Sequence, residues 1–110
     1  MFLALITEDY QTGDKGIFLK ELIEYTSPSN SYNIREKALE YIGYLNLWNR
    51  VSLLNLIDAS QHHYWRFRDF SRNILKGLLK DENYREQFLL LEQDLGTDSL
   101  NFLKRMLNEK

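Results

Sequence analysis

Apolar side chains recur at helical spacing along almost the entire chain, and this periodicity limits the possible folds more than any other feature of the sequence. The alternation of apolar and polar residues that marks strands, with its β-branched side chains, is nearly absent. Short runs with glycine, proline, asparagine or aspartate separate the helical segments. The sequence therefore predicts an all-α fold of six or seven short helices, at 14–26, 33–45, 47–57, 67–78, 84–95 and 98–110, with a further short piece around Leu3, Ile6 and Tyr10.

The composition is that of one folded domain. The chain has 110 residues, 44% of them apolar and 27% charged, so we predict a single helical domain over residues 1–110. No apolar run approaches the roughly 20 residues of a membrane-spanning helix, and no membrane partner is predicted. The start of the chain lacks the pattern of a signal peptide, and the absence of cysteine excludes disulfides and thiolate chemistry. The cellular compartment stays open.

The helical pattern also predicts which side chains form the core. Asn33 with Glu36 is a predicted capping box at the start of the second helix. The positions assigned to the core are Ile34, Ala38, Ile42, Leu54, Phe67, Phe70, Ile74, Leu78 and Phe88.

A weak internal repeat appears when the chain is offset by 33 residues. Ile34 and Arg35 then match Phe67 and Arg68, with small or apolar residues matching further along. A period of this size in helix pairs is typical of α-solenoids, so we predict antiparallel helix pairs stacked as a short solenoid. An arginine that follows a core position in each copy is expected to bridge carboxylates or carbonyls of adjacent helices. Chance matching between amphipathic helices leaves a plain helical bundle as the alternative.

No set of residues in the sequence has the pattern of a complete active site. His62 and His63 are the only histidines, and adjacent residues on a helix point about 100° apart, so they are not expected to chelate one metal ion. No glycine-rich phosphate loop and no nucleophile elbow occur. We therefore predict that this chain alone is not an enzyme and holds no cofactor.

The predicted helix after His63 is basic and aromatic. Between Tyr64 and Lys80 the sequence has five basic residues and one acid, and the segment after Lys80 is acidic. Charge pairing between these neighbouring helices explains the pattern better than nucleic-acid binding, and no nucleic-acid partner is predicted. The basic helix still supplies the candidate interaction surface, which consists of Trp65, Arg66, Arg68, Arg72 and Lys76.

Several short strings between Ser31 and Phe88 carry a resemblance to a known family. They are Arg35 with Ala38 and Leu39, the Asp-Ala-Ser of 58–60, WRFRDFSR at 65–72 and LLKDENYRE at 78–86. On these residues the segment resembles the C-terminal helical-repeat region, HEAT- or armadillo-like, of the zinc aminopeptidase family that includes aminopeptidase N. The family's catalytic motifs, His-Glu-x-x-His and Gly-x-Met-Glu-Asn, do not occur in this sequence.

The resemblance implies a non-catalytic C-terminal domain in a longer protein. Such a domain encloses the active site of a zinc-containing catalytic domain in the same polypeptide, which would be its partner and would hold the zinc. The chain is several times shorter than a whole aminopeptidase, which favours an excised domain. The alternative from another class is a free-standing helical-repeat adaptor that binds a protein partner.

Overall fold

The computed structural model of the protein describes residues 15–108. In these residues the chain forms six α-helices and no strand, which confirms the all-α prediction. The predicted short piece around Leu3, Ile6 and Tyr10 lies outside the described residues. The helices are α1 (Lys15–Tyr25), α2 (Tyr32–Leu45), α3 (Arg50–Ala59), α4 (Trp65–Leu79), α5 (Glu82–Leu91) and α6 (Thr97–Asn108), with a 3-10 turn at Glu92–Asp94 after α5.

The chain divides into two compact units, the first ending at Trp48 and the second beginning at Asn49. The single domain predicted for residues 1–110 stays a prediction. In the first unit α1 packs against α2. The chain leaves α2 through Asn46, whose left-handed backbone (φ 55°, ψ 44°) is one that asparagine tolerates better than most residues. The buried apolar side chains of this unit are Leu22, Ala38, Leu39, Ile42 and Trp48.

The buried face of α2 includes Arg35 in place of the predicted Ile34. Ile34 was assigned to the core, but it is 42% exposed, so that assignment is wrong. Arg35 takes the buried position and is only 2% exposed. Neighbouring residues on a helix point about 100° apart, so a buried face formed by Arg35, Ala38, Leu39 and Ile42 leaves Ile34 at its flank. The predicted core residues Ala38 and Ile42 are fully buried.

In the second unit α3 lies at the centre, packed against α4, α5 and α6, while α4 also packs against α5. The buried line of α4 consists of every fourth residue: Phe67, Ser71, Leu75 and Leu79. The predicted core residues Phe67 and Phe88 are buried. The structure leaves four other predicted core residues only half-buried, namely Leu54, Phe70, Ile74 and Leu78.

The helix starts use different caps from the predicted one. Ser31 is the N-cap residue of α2 and makes no side-chain cap hydrogen bond, so the capping box predicted for Asn33 and Glu36 is wrong. The capping box lies instead at α3, where the Asn49 side chain accepts from the backbone N–H of Ser52 and the Ser52 hydroxyl accepts from that of Asn49, both at 2.9 Å. These bonds satisfy amide groups that the first turn of a helix leaves without intrahelical partners.

In each unit an arginine ties its helix to the end of the helix before it. The Nε of Arg35 in α2 donates to the carbonyl oxygen of Thr26, directly after α1, at 3.0 Å. The Nε of Arg72 in α4 donates to the carbonyl oxygen of Ser60, directly after α3, at 2.8 Å. We call these two contacts carbonyl clasps. Arg35 therefore bridges adjacent helices as predicted, but the offset of 33 residues pointed to Arg68 as its counterpart, and the clasp is made by Arg72.

Candidate functional site: a pocket beside the end of α5

The five residues predicted as an interaction surface all lie on α4 but differ in exposure. Arg72 is half-buried, held by its clasp to Ser60, and its guanidinium lies over the Phe102 ring at 5.1 Å from the ring centre. Arg68 is also half-buried. Its Nε lies 3.8 Å from the Asp69 carboxylate and has no hydrogen-bond acceptor within the described part of the chain. Arg72 therefore has a structural role, and Arg68 offers solvent only part of its guanidinium.

The other three predicted surface residues are exposed, two of them together at the start of α4. Trp65 is 54% exposed, and the Arg66 guanidinium stacks over its ring at 5.3 Å from the ring centre. Lys76 is exposed in the last turn of α4. Because it follows Trp65 by about three helical turns, the two residues are roughly 16 Å apart along the helix. Trp65 and Arg66 thus form an exposed pair at the start of α4, without Lys76.

The charge pairing predicted between α4 and the acidic segment after it is not found. Among residues 15–108, Lys76 and Lys80 of the basic helix and Glu82 and Glu86 of the acidic one make no ion pair. Asp94 instead pairs with α3, since its Oδ2 lies 2.5 Å from Nη2 of Arg50. The prediction was wrong because it assigned partners by neighbouring segments, whereas the structure brings the 3-10 turn after α5 to the start of α3.

The two histidines form part of the turn before α4. His62 Nδ1 accepts from the backbone N–H of Tyr64 at 3.0 Å. Its ring stacks on His63 at 4.3 Å and meets the edge of Phe67 at 5.0 Å, both between ring centres. Within the described ranges no group of three or more histidine, aspartate or glutamate side chains is placed to hold a metal ion. The histidines therefore order the start of α4.

A pocket in the second unit lies between α3 and the end of α5, where the sequence predicts no site. Its volume is about 490 Å³, which is within the 300–1,000 Å³ typical of small-ligand pockets. We call it the Leu90 pocket. It is lined by Arg50, Leu53, Gln87, Leu90, Leu91, Gln93 and Asp94.

The Leu90 pocket has an apolar floor and a polar rim. Leu53 and Leu91 are buried, so they form the floor, while Leu90 is 70% exposed at the edge. The Arg50–Asp94 ion pair belongs to the rim. A second depression of about 430 Å³ adjoins it and shares Leu90 and Gln93 as lining residues. Leu89, which lines this depression, is 49% exposed.

The sequence contained one signal for this surface. Residues 89–91 are three consecutive leucines, and consecutive residues on a helix point about 100° apart. One buried face cannot take all three side chains. Only Leu91 is buried, at 3% exposure, so Leu89 and Leu90 are left on the surface.

The two charged residues that line the Leu90 pocket balance each other, and the adjoining depression adds one carboxylate, that of Glu92. The last turn of α5 contains no basic residue, and Glu92 and Asp94 follow it. The C-terminal end of a helix also carries the negative end of the backbone dipole. Arg50 is the one basic residue that lines the Leu90 pocket, and its charge is matched by Asp94. Glu92, which lines the adjoining depression, makes no ion pair within residues 15–108.

The lining of the pocket is suited to binding. It contains leucines, amides and one closed ion pair, but no histidine, serine or other nucleophile with a base beside it.

In the described part of the chain, no helix is both long and apolar enough to span a membrane. A comparison of the chain with protein-family models, with curated proteins and with solved structures finds no match.

Proposed function

We propose that this chain is a non-catalytic helical domain that binds a segment of another protein or protein domain through the Leu90 pocket. The observation that carries the proposal is the exposure of Leu90, 70%, beside a pocket of about 490 Å³ with a floor of buried leucines. An exposed apolar group at the edge of a concave, polar-rimmed surface is typical of a protein-binding site. The amides of Gln87 and Gln93 on the rim are suited to hydrogen bonds with a bound main chain.

The architecture that we propose for this domain is a short α-solenoid built from helix pairs. The support is that α1 with α2, and α3 with α4, each carry a carbonyl clasp from the second helix to the end of the first. In both pairs the residue that accepts the clasp is fully buried, Thr26 in one and Ser60 in the other. Recurrence of one contact in successive helix pairs is expected of repeats.

The resemblance described above names one candidate for the partner. If the chain is the C-terminal domain of a zinc aminopeptidase, the segment in the Leu90 pocket belongs to the catalytic domain of the same polypeptide, which would hold the zinc. This proposal is supported by the strings between Ser31 and Phe88, of which WRFRDFSR at 65–72 is the most specific. The free-standing adaptor differs from it in one respect, because its partner is a separate protein.

The test is site-specific photo-crosslinking in the source cells. A photo-reactive amino acid replaces Gln93, an exposed residue that lines the pocket, and a matched variant carries it at Tyr44, which is 86% exposed in the first unit. We expect a protein adduct from position 93 that is lost when Leu90→Ser is added. The Tyr44 variant shows which adducts arise from exposure alone.

The identity of the adduct decides between the two forms of the proposal. A separate protein joined at position 93 supports the adaptor. A crosslink within one polypeptide several times larger than 13.2 kDa, with chelator-sensitive aminopeptidase activity, supports the aminopeptidase domain. If position 93 gives no adduct, or gives one that Leu90→Ser leaves unchanged, the proposed function is wrong.

A further inference from the structure

The surface around the Leu90 pocket also indicates what kind of segment it binds, and this step rests on the proposed function. We infer that the partner presents a large apolar side chain next to a lysine or arginine. The apolar side chain would enter the Leu90 pocket, and the basic group would lie over the end of α5. Size and charge support the two parts of this inference separately.

The pocket has room for a large apolar side chain, and its floor is apolar. A volume of about 490 Å³ exceeds that of any single side chain, and the pocket opens at its edge beside Leu90. The floor residues Leu53 and Leu91 offer only apolar atoms. A leucine, methionine or aromatic side chain that covers them would also bury much of Leu90, which is now 70% exposed. A polar side chain at this place would lose its water without gaining a partner on the floor.

The charges support a basic group beside that side chain. Glu92 follows α5 directly, lines the adjoining depression and has no ion pair among the described residues. The C-terminal carbonyl groups of α5 add negative potential at the same end of the helix. Arg50 does not offset this potential, since its charge is matched by Asp94. A lysine or arginine in the partner is therefore complementary, and an acidic residue there is repelled.

The experiment measures the binding of three fluorescein-labelled peptides to the purified chain. The first, LKKLLKKLLKKL, places leucines and lysines at helical spacing. The second, LEELLEELLEEL, keeps the leucines and reverses the charge, and the third, SKKSSKKSSKKS, keeps the lysines and removes the apolar side chains. We expect fluorescence anisotropy to show binding of the first peptide at least about tenfold tighter than that of either control, because each control lacks one of the two complementary groups.

Variants of the chain locate the binding. Leu90→Ser is expected to weaken binding of the first peptide about tenfold, and Glu92→Gln about two- to fivefold, the range for a solvent-exposed charge pair. Tyr44→Ser removes a large side chain of the first unit that is more exposed than Leu90, and it is expected to leave the affinity unchanged. Circular dichroism of each variant verifies that the helices are intact.

Three outcomes would overturn the inference. If the Gln93 adduct depends on Leu90 but the leucine–glutamate peptide binds as tightly as the leucine–lysine peptide, the proposed function stands and the basic neighbour is wrong. If neither the adduct nor peptide binding responds to Leu90→Ser, both are wrong. If sedimentation shows that the chain associates with itself and that Leu90→Ser abolishes this association, the occupant is a second copy and not the inferred segment.

Discussion

Arg35 donates its Nε hydrogen to the carbonyl oxygen of Thr26 at 3.0 Å, from a position in α2 that is only 2% exposed. A buried guanidinium is costly to desolvate, so its hydrogen bonds matter more than those of a surface arginine. The acceptor lies directly after α1, where a helix leaves carbonyl groups without intrahelical partners. The side chain of Arg35 in α2 thus supplies a hydrogen bond to a carbonyl group at the end of α1.

Removing this clasp should destabilise the fold. Arg35→Met keeps most of the apolar length of the side chain but removes the donor to Thr26, and we expect a loss of about 1.5–3 kcal/mol, the range for a hydrogen bond to a charged group. Urea denaturation measures the change. The control is Lys37→Met in the same helix, whose side chain is 50% exposed. Equal stability of the two variants would show that the clasp contributes nothing.

The buried line of α4 gives a second expectation. Phe67 is 1% exposed, so Phe67→Ala should cost about 3–5 kcal/mol through lost burial and the cavity that it leaves. Ile74 is half-buried, and Ile74→Ala should cost less, about 1–2 kcal/mol. The exposed Lys76→Ala is the control, expected within about 0.5 kcal/mol of the parent. If urea denaturation showed that Ile74→Ala destabilises the protein most of the three variants, this assignment of the buried face of α4 would be wrong.

The two asparagines near helix starts should differ in their effect on stability. Asn49→Ala removes the side chain that caps α3 and should cost about 1 kcal/mol. Asn33→Ala changes an exposed residue inside the first turn of α2, where Ser31 is the N-cap residue, and should stay within about 0.5 kcal/mol. Thermal unfolding followed by circular dichroism compares the two. If Asn33→Ala destabilised the protein more than Asn49→Ala, the capping box predicted for Asn33 and Glu36 would be supported.

The two tryptophans test whether residues 1–110 form one cooperative domain. Trp48 belongs to the first unit and Trp65 to the second, and the chain contains no other tryptophan. Trp65→Phe leaves fluorescence from Trp48 alone, and Trp48→Phe leaves it from Trp65. For each variant we expect the urea midpoint from fluorescence to coincide with its own midpoint from circular dichroism, as in two-state unfolding. A fluorescence midpoint that departs from it would mean that the two units unfold separately.

Alkaline pH should destabilise the first unit through Tyr25. Burial raises the pKa of the Tyr25 phenol above its ordinary value of 10.0, and the carboxylates of Glu21 and Glu24 raise it further. Because the unfolded chain then loses this proton first, the stabilising contribution is complete below pH 10 and is lost as the pH rises through the higher folded-state pKa. Tyr25→Phe should therefore lose less stability than the parent as the pH rises above 10.0, over a range of about one pH unit.

Urea melts at several pH values provide this comparison. Tyr44→Phe, which changes a tyrosine that is 86% exposed, is the control for the loss of a phenol. If Tyr25→Phe and the parent lose stability in parallel, Tyr25 does not carry the alkaline effect.

The helices could be predicted from the sequence because apolar periodicity is a local property. Every predicted helical segment within the described residues contains a helix, and the Pro28 loop separates α1 from α2. The error came in choosing the buried face of α2. Ile34 was assigned to the core and Arg35 to a bridge between helices beside it, whereas the bond to Thr26 accompanies a buried Arg35 and an exposed Ile34. An arginine with a carbonyl partner in another helix cannot be distinguished from a solvated one by spacing alone.

The candidate site could not be predicted, because it is formed by contacts between residues that are far apart in the sequence. The Leu90 pocket joins residues of α3 to residues of α5 and the turn after it, which are about forty positions apart in the chain. Its rim depends on the pairing of Arg50 with Asp94, while the sequence suggested that acids of this region pair with the basic helix. Trp65 and Arg66, by contrast, were assigned to a candidate interaction surface from the basic and aromatic character of their helix, and both are exposed.

The carbonyl clasp also has a consequence for the loop between α1 and α2. Arg35 in α2 donates a hydrogen bond to the carbonyl oxygen of Thr26 at the end of α1. This contact holds the two helices together without the connection through Pro28, so the length of that connection is not critical for their pairing. Doubling a flexible loop costs only about 0.6 kcal/mol in closure entropy. The connection is therefore a position at which extra residues, or even a whole inserted module, can enter this protein while α1 and α2 keep their register.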